Sequence, residues 1–113
     1  MKTKKDIEKL MNEISKMLMK FNFKIDSIGF KYWTYAIYYI IEDGYYKMDV
    51  IYKNIADIYK TNKSAVERAM RTSSENAKEN ILYYFEYYQG KLTNKTILNL
   101  LFLYCKGEDI KWQ

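Results

Sequence analysis

Apolar residues recur at helical spacing almost from the start of the chain. Ile7, Leu10, Met11, Ile14, Leu18 and Phe21 follow the i, i+3, i+4, i+7 rule, with Lys and Glu on the other face. This predicts an amphipathic helix whose stripe is of normal width for packing on its own domain. The pattern breaks over Asn22 to Gly29 and resumes, densely aromatic, from Phe30 to Asp43. Trp33, Ala36, Ile37, Ile40 and Ile41 make that second helix apolar on most sides, so it is expected at the centre, and Asp43-Gly44 ends it. A short helix follows over Ile51 to Lys60, then a polar break at Thr61-Asn62. The next helix starts at Asn62 or Ser64 and runs to about Lys78. Two caps are open there: Asn62 as a strong N-cap, or Ser64 with Glu67 as a capping box. Asn80 to Tyr88 reads as another helix, stopped by Gln89-Gly90. Thr93 or Asn94 opens the last, which runs to about Tyr104 with Ile97, Leu98, Leu100, Leu101 and Leu103 largely buried. Cys105 to Gln113 is expected to be a loose tail. Tyr45 to Tyr52 is rich enough in β-branched and aromatic residues for a short extended stretch, but no alternation persists. The class is all-α, with about six helices around a central helix-turn-helix over residues 51–78.

Composition narrows the chemistry. At 113 residues the chain is expected to be one domain, 1–113. The absence of His removes imidazole bases, His-based triads and His metal sites. One Cys leaves no internal disulfide and no Cys cluster, so Cys105 is read as a small core residue. With no Pro and four Gly there is no Gly-rich phosphate loop. No nucleophile–base pair or paired catalytic carboxylates can be placed, so neither an enzyme nor a cofactor or metal site is expected. No apolar stretch follows the charged N-terminus, and no uncharged run exceeds ten residues, Tyr32 to Ile41 being one example. A membrane span needs about 20 apolar residues, so a cytoplasmic protein is expected.

Charge changes the picture more. The net +5 is uneven. Residues 1–24 hold seven Lys against three acids, and residues 51–78 hold six basic residues against three acids. The second block coincides with Ile51 to Arg71, which has helix-turn-helix spacing. Ile55-Ala56 supply the close crossing, Tyr59 closes the first helix, and Val66 points inward from the second. The turn position often taken by Gly is Lys60.

At about 100° per residue, Val66, Ala69, Met70, Ser73 and Ala77 fall on one side of the second helix. Ser64, Arg68, Arg71, Thr72 and Glu75 fall on the other. Arg carries a planar fork that matches guanine O6 and N7, and short neighbours let a helix approach base edges. Arg68 and Arg71 are therefore the expected base readers, with Glu67 accepting from cytosine, orienting Arg68 or capping the helix. Lys53, Lys60, Lys63 and Ser64 are expected to meet phosphates, with Thr72 flanking them.

Two aromatic clusters compete for attention. Tyr32, Tyr35, Tyr38 and Tyr39 could stack on bases, but core and rim packing is the favoured reading. Tyr83, Tyr84, Phe85, Tyr87 and Tyr88 would be the contact surface of an alternative function, a helical protein-interaction module or antagonist that has lost specific DNA reading.

The run Ile55-Ala56 through Lys63-Ser64-Ala65-Val66-Glu67-Arg68-Ala69-Met70-Arg71 resembles the C-terminal effector domain of the master sporulation response regulators of endospore-forming bacteria. Gly29-Phe30-Lys31-Tyr32, Ala36-Ile37, Ile51-Tyr52 and Leu92-Thr93-Asn94 extend the likeness over most of the chain. The resemblance implies a six-helix transcriptional regulator that binds double-stranded DNA at a promoter box, as a homodimer on tandem boxes; RNA polymerase is an expected partner under the interaction-module alternative. It implies that Glu67, Arg68 and Arg71 meet DNA. Ala65 stands where the family has Arg, and Thr72 where it tends to have His. The phosphoacceptor receiver that precedes this domain in the family has no counterpart in the sequence, which leaves an excised fragment or a stand-alone regulator; the Met start with its own Lys-rich helix makes the stand-alone regulator the expectation.

Overall fold

The computed structural model describes residues 2–44, 47–108 and 110. Its α-helices are α1 (Lys4–Lys20), α2 (Ile28–Asp43), α3 (Met48–Tyr59), α4 (Lys63–Ser74), α5 (Lys78–Tyr84) and α6 (Asn94–Gly107), with a 3₁₀ turn at Glu75–Ala77. No strand occurs among the described residues, so the all-α expectation holds.

Local chemistry sets the helix starts. Thr3 and Asp6 form a capping box, which carries α1 further toward the N-terminus than its apolar stripe indicates. Ser27 accepts from the Phe30 amide, so α2 begins at Ile28 and takes in Gly29. Asn62, not Ser64, is the N-cap of α4: its side chain accepts from the Ala65 amide, and Ser64 lies inside the helix. Thr93 caps α6 by accepting from Thr96.

The helix ends depart more from expectation. Gly44 closes α2 in the left-handed conformation, as the Asp43-Gly44 signal implied. The stretch considered for extended structure is helical from Met48 onward, while Tyr45 and Tyr46 lie outside the described residues. α4 stops at Ser74 instead of Lys78. The Ser73 and Ser74 hydroxyls donate back to the carbonyls of Met70 and Arg71, and the chain tightens into the 3₁₀ turn. The α1–α2 loop then grips this bend: the Lys24 amide donates to the Ser73 carbonyl, and the Asn22 side chain to that of Asn76. α5 ends at Tyr84, short of Tyr88, because Phe85 leaves helical dihedrals to bury its ring beside Phe21. α6 continues past Tyr104 to Gly107 with Cys105 buried, so that part of the expected tail is helix.

α2 is central, packing against α1, α3, α4 and α6. Trp33, Ala36, Ile37 and Ile40 are sealed from solvent and join one core with Ile14, Leu18, Ile55, Val66, Met70, Ile81, Ile97, Leu98 and Leu101. The α2–α4 crossing is unusually close at Gly29. A Cβ there would lie 2.2 Å from the Ala69 carbonyl oxygen and 2.6 Å from the Ser73 hydroxyl. The aromatic cluster of α2 goes mostly to packing. Tyr32 is buried with its ring edge-on to Tyr59, and Tyr35, Tyr38 and Tyr39 are half-buried against the core.

Candidate nucleic-acid interface

α3 and α4 pack on each other and are joined by Lys60, Thr61 and Asn62. The turn depends on Lys60, which takes the left-handed conformation at φ 55°, the geometry a Gly adopts without strain. Its amide donates to the Ala56 carbonyl, and Thr61 donates to the same oxygen, which closes α3. Ile51, Ile55 and Ala56 on α3 are buried, as are Val66 and Met70 on α4, and this fixes the pair against α2.

With that face spent, α4 turns Lys63, Ser64, Arg68, Arg71 and Thr72 to solvent, and Glu75 is exposed in the 3₁₀ turn that follows. The two faces read from the sequence are thus those observed, with Ala69 half-buried at the boundary. Their neighbours on this face, Ser64 and Thr72, are short and exposed, so neither covers the two Arg side chains. At the α4 N-terminus the amides of Lys63 and Ser64 have no carbonyl to bond within the helix, as in any first turn, and they add positive potential beside Lys63.

Ion pairs then separate the cations. Arg71 pairs with Glu67 one turn earlier, at i,i+4 spacing. Lys63 pairs with Asp49 at 2.9 Å, and Lys53 with Asp57 at 3.6 Å. Arg68 and Lys60 make no ion pair among the described residues. Arg68 is accordingly free to find a partner outside the chain, whereas Arg71 is presented by Glu67. Glu67 pairs with Arg71 and not with Arg68, the residue it is expected to orient, because side chains four apart share a helix face and adjacent ones do not.

Sequence reasoning missed what stands behind this surface. The Asn94 side chain at the start of α6 donates to the Tyr52 phenol and to the Glu67 carbonyl, each at 3.1 Å. Burial pushes the Tyr52 phenol above its usual pKa, against the lowering effect of the Asn94 bond, so it stays neutral and accepts. No periodicity links positions 52, 67 and 94; only the packing of α6 on α4 brings them together.

Away from α4, the candidate contact segment splits. Tyr83 is 87% exposed and Tyr87 69%, with Tyr84 also exposed; Phe85 is buried and Tyr88 half-buried. No group of three or more His, Cys, Asp or Glu placed to hold a metal ion occurs among the described residues, and no helix there is long and apolar enough to cross a membrane.

A family model described as "Sporulation initiation factor Spo0A C terminal" matches residues 14–104. No curated protein and no solved structure matches the chain. The matched stretch begins within α1, contains all of α2 to α5 with the α3–α4 turn, and ends within α6, so it takes in every residue of the surface just described. The chain therefore belongs to the Spo0A C-terminal family, the DNA-binding effector domains of sporulation regulators.

Proposed function

We propose that this domain is a sequence-specific transcriptional regulator that inserts α4 into the major groove of a promoter box, with α3–α4 acting as a helix-turn-helix. The observation that carries it is the division of α4: Val66 and Met70 locked into the core, Arg68 and Arg71 projecting on the opposite side. Arg68 and Arg71 read base edges, and Glu67 holds the Arg71 fork in place. Lys63, Ser64, Lys60 and Lys53 hold phosphates, with Thr72 at the flank. Ala65 leaves the first turn of α4 without a fork, so the box differs from the family's at the base an Arg there would read.

Selection of bound duplexes from a random pool tests this. The expected result is a recovered consensus, with Arg68→Ala relaxing preference at one base of it. Its discrimination there should fall by about 1–3 kcal/mol. Recovery of no consensus, or equal losses for Arg68→Ala on selected and random DNA, rejects base reading. Tandem repeats of the box among the selected duplexes would support a dimer on DNA.

A second reading has its own observation. The exposed Tyr83 and Tyr87 rings form the kind of aromatic surface that anchors protein partners, RNA polymerase among them. An interaction module that does not read DNA would bind such a partner through these rings and show no preference in the duplex selection.

A further inference from the structure

One buried side chain joins three elements directly behind the α4 surface. Asn94 is the first residue of α6 and only 8% exposed. Its Nδ2 group donates to the Tyr52 phenol on α3 and to the Glu67 carbonyl on α4, each at 3.1 Å. A helix carbonyl has a second lone pair, so Glu67 accepts this bond without leaving its own helical ladder. The anchored carbonyl is one residue before Arg68 and one turn before Arg71. Two further ties on α4, from the Trp33 indole to the Met70 carbonyl and from the Lys24 amide to the Ser73 carbonyl, fall nearer its C-terminal end. Apolar contacts at Val66 and Met70 hold α4 to the core but set its rotation about its own axis only loosely, because such contacts are non-directional. Hydrogen bonds from different elements at separate points along the helix restrict that rotation, and the Asn94 bond is the one in its N-terminal half, beside Arg68.

We propose that Asn94 is a positioning residue for base recognition: acting through the Glu67 carbonyl, with Tyr52 holding its amide in register, it sets the angle at which α4 presents Arg68 and Arg71. This rests on the reading of α4 as the base-contacting helix. Asn94 itself touches no DNA, so it contributes to discrimination and not to phosphate affinity.

The test compares Asn94→Ala and Tyr52→Phe with the unaltered protein on the selected box and on a random duplex, at one salt concentration and well below the unfolding temperature of each variant. Near-ultraviolet circular dichroism confirms the folded state. The ratio of the two affinities should fall about five- to tenfold for Asn94→Ala and about threefold for Tyr52→Phe, the scale of one or two lost hydrogen bonds. The salt dependence of binding should not change, since no phosphate contact is removed. A purely structural role would lower the unfolding temperature and scale both affinities by the folded fraction, leaving the ratio intact; that result overturns the proposal. If Asn94→Ala does not fold, Tyr52→Phe decides by the same ratio. If the unaltered protein itself shows no preference for any duplex, base reading fails and the positioning role goes with it. Preference in the unaltered protein with unchanged ratios in both variants rejects the positioning role alone.

Discussion

The indole Nε1–H of Trp33 donates to the main-chain carbonyl of Met70 across 2.8 Å, inside the core and across the α2–α4 crossing. Gly29 lies one turn earlier on α2, where the two helices touch too closely for a side chain. Together they let the central helix seat α4 at a fixed depth. Trp33→Phe keeps an aromatic ring but removes the donor and part of the volume. It should destabilise the fold by about 2–3 kcal/mol, from the lost bond and the space left behind. Urea unfolding should show a lower midpoint with an unchanged slope. An unaltered midpoint would mean the bond contributes nothing net.

How much of this was legible in advance depends on the range of the interaction. The two faces of α4 were readable because a helix half-buried in a domain repeats its apolar positions every three or four residues, and Val66 and Met70 are buried while Arg68 and Arg71 are exposed. The same periodicity places Arg71, and not the expected Arg68, beside Glu67. The end of α4 was not. Ser73 and Ser74 turn their hydroxyls back on the helix, and Asn22 and Lys24 reach in from a distant loop. Asn94 was named only as a possible cap, since its bonds to Tyr52 and Glu67 depend on where α6 docks. Cys105 fits the core by its type, but the expected tail begins there although Gly107, two residues on, is the local mark at which α6 ends.

Lys63 and Asp49 separate general affinity from discrimination. Their pair is exposed on both sides, so it adds little to stability. Asp49→Asn releases Lys63 and removes a negative charge from its neighbourhood, and binding to every duplex should tighten. Lys63→Ala should weaken binding to every duplex and reduce the salt slope by about 0.9. Both variants should unfold within about 0.5 kcal/mol of the unaltered protein. Binding isotherms on selected and random DNA over a salt series provide the check. A change in the ratio of the two affinities would place Lys63 on a base instead of a phosphate.

Cys105 predicts an alkaline sensitivity. Burial pushes its thiol up to about 12, from an ordinary value near 9. The folded state therefore keeps its proton through a range in which the unfolded chain gives it up. Ionisation then favours the unfolded chain, so this contribution is intact below about pH 9 and is lost between there and about pH 12. Burial also raises the phenols of Tyr38, Tyr39, Tyr52 and Tyr59, which act in the same direction at high pH. Cys105→Ala isolates the thiol: its unfolding midpoint should fall less steeply with pH above 9 than that of the unaltered protein. In the native state at pH 8, a thiol reagent should label Cys105 only as fast as the fold opens. Rapid labelling without unfolding would contradict its burial.

Lys60 sets stability against binding at a single position. Its left-handed φ of 55° is one that a residue with a side chain adopts at a penalty and Gly adopts freely. Lys60→Gly relieves that penalty but loosens the unfolded chain, so the net gain should be about 0.5–1 kcal/mol. The same change removes a cation beside the α4 N-terminus, one with no ion pair among the described residues to neutralise it. Affinity for all duplexes should therefore drop, with a shallower salt slope, while the unfolding temperature rises. Lys60→Asn divides the two effects differently, since Asn tolerates the left-handed region better than Lys but also lacks the charge. It should match Lys60→Gly in binding and fall between it and the unaltered protein in stability. Thermal unfolding and DNA titration on the same samples decide the matter. If stability and affinity move together in these variants, Lys60 acts on binding through the fold of the turn and not through its charge.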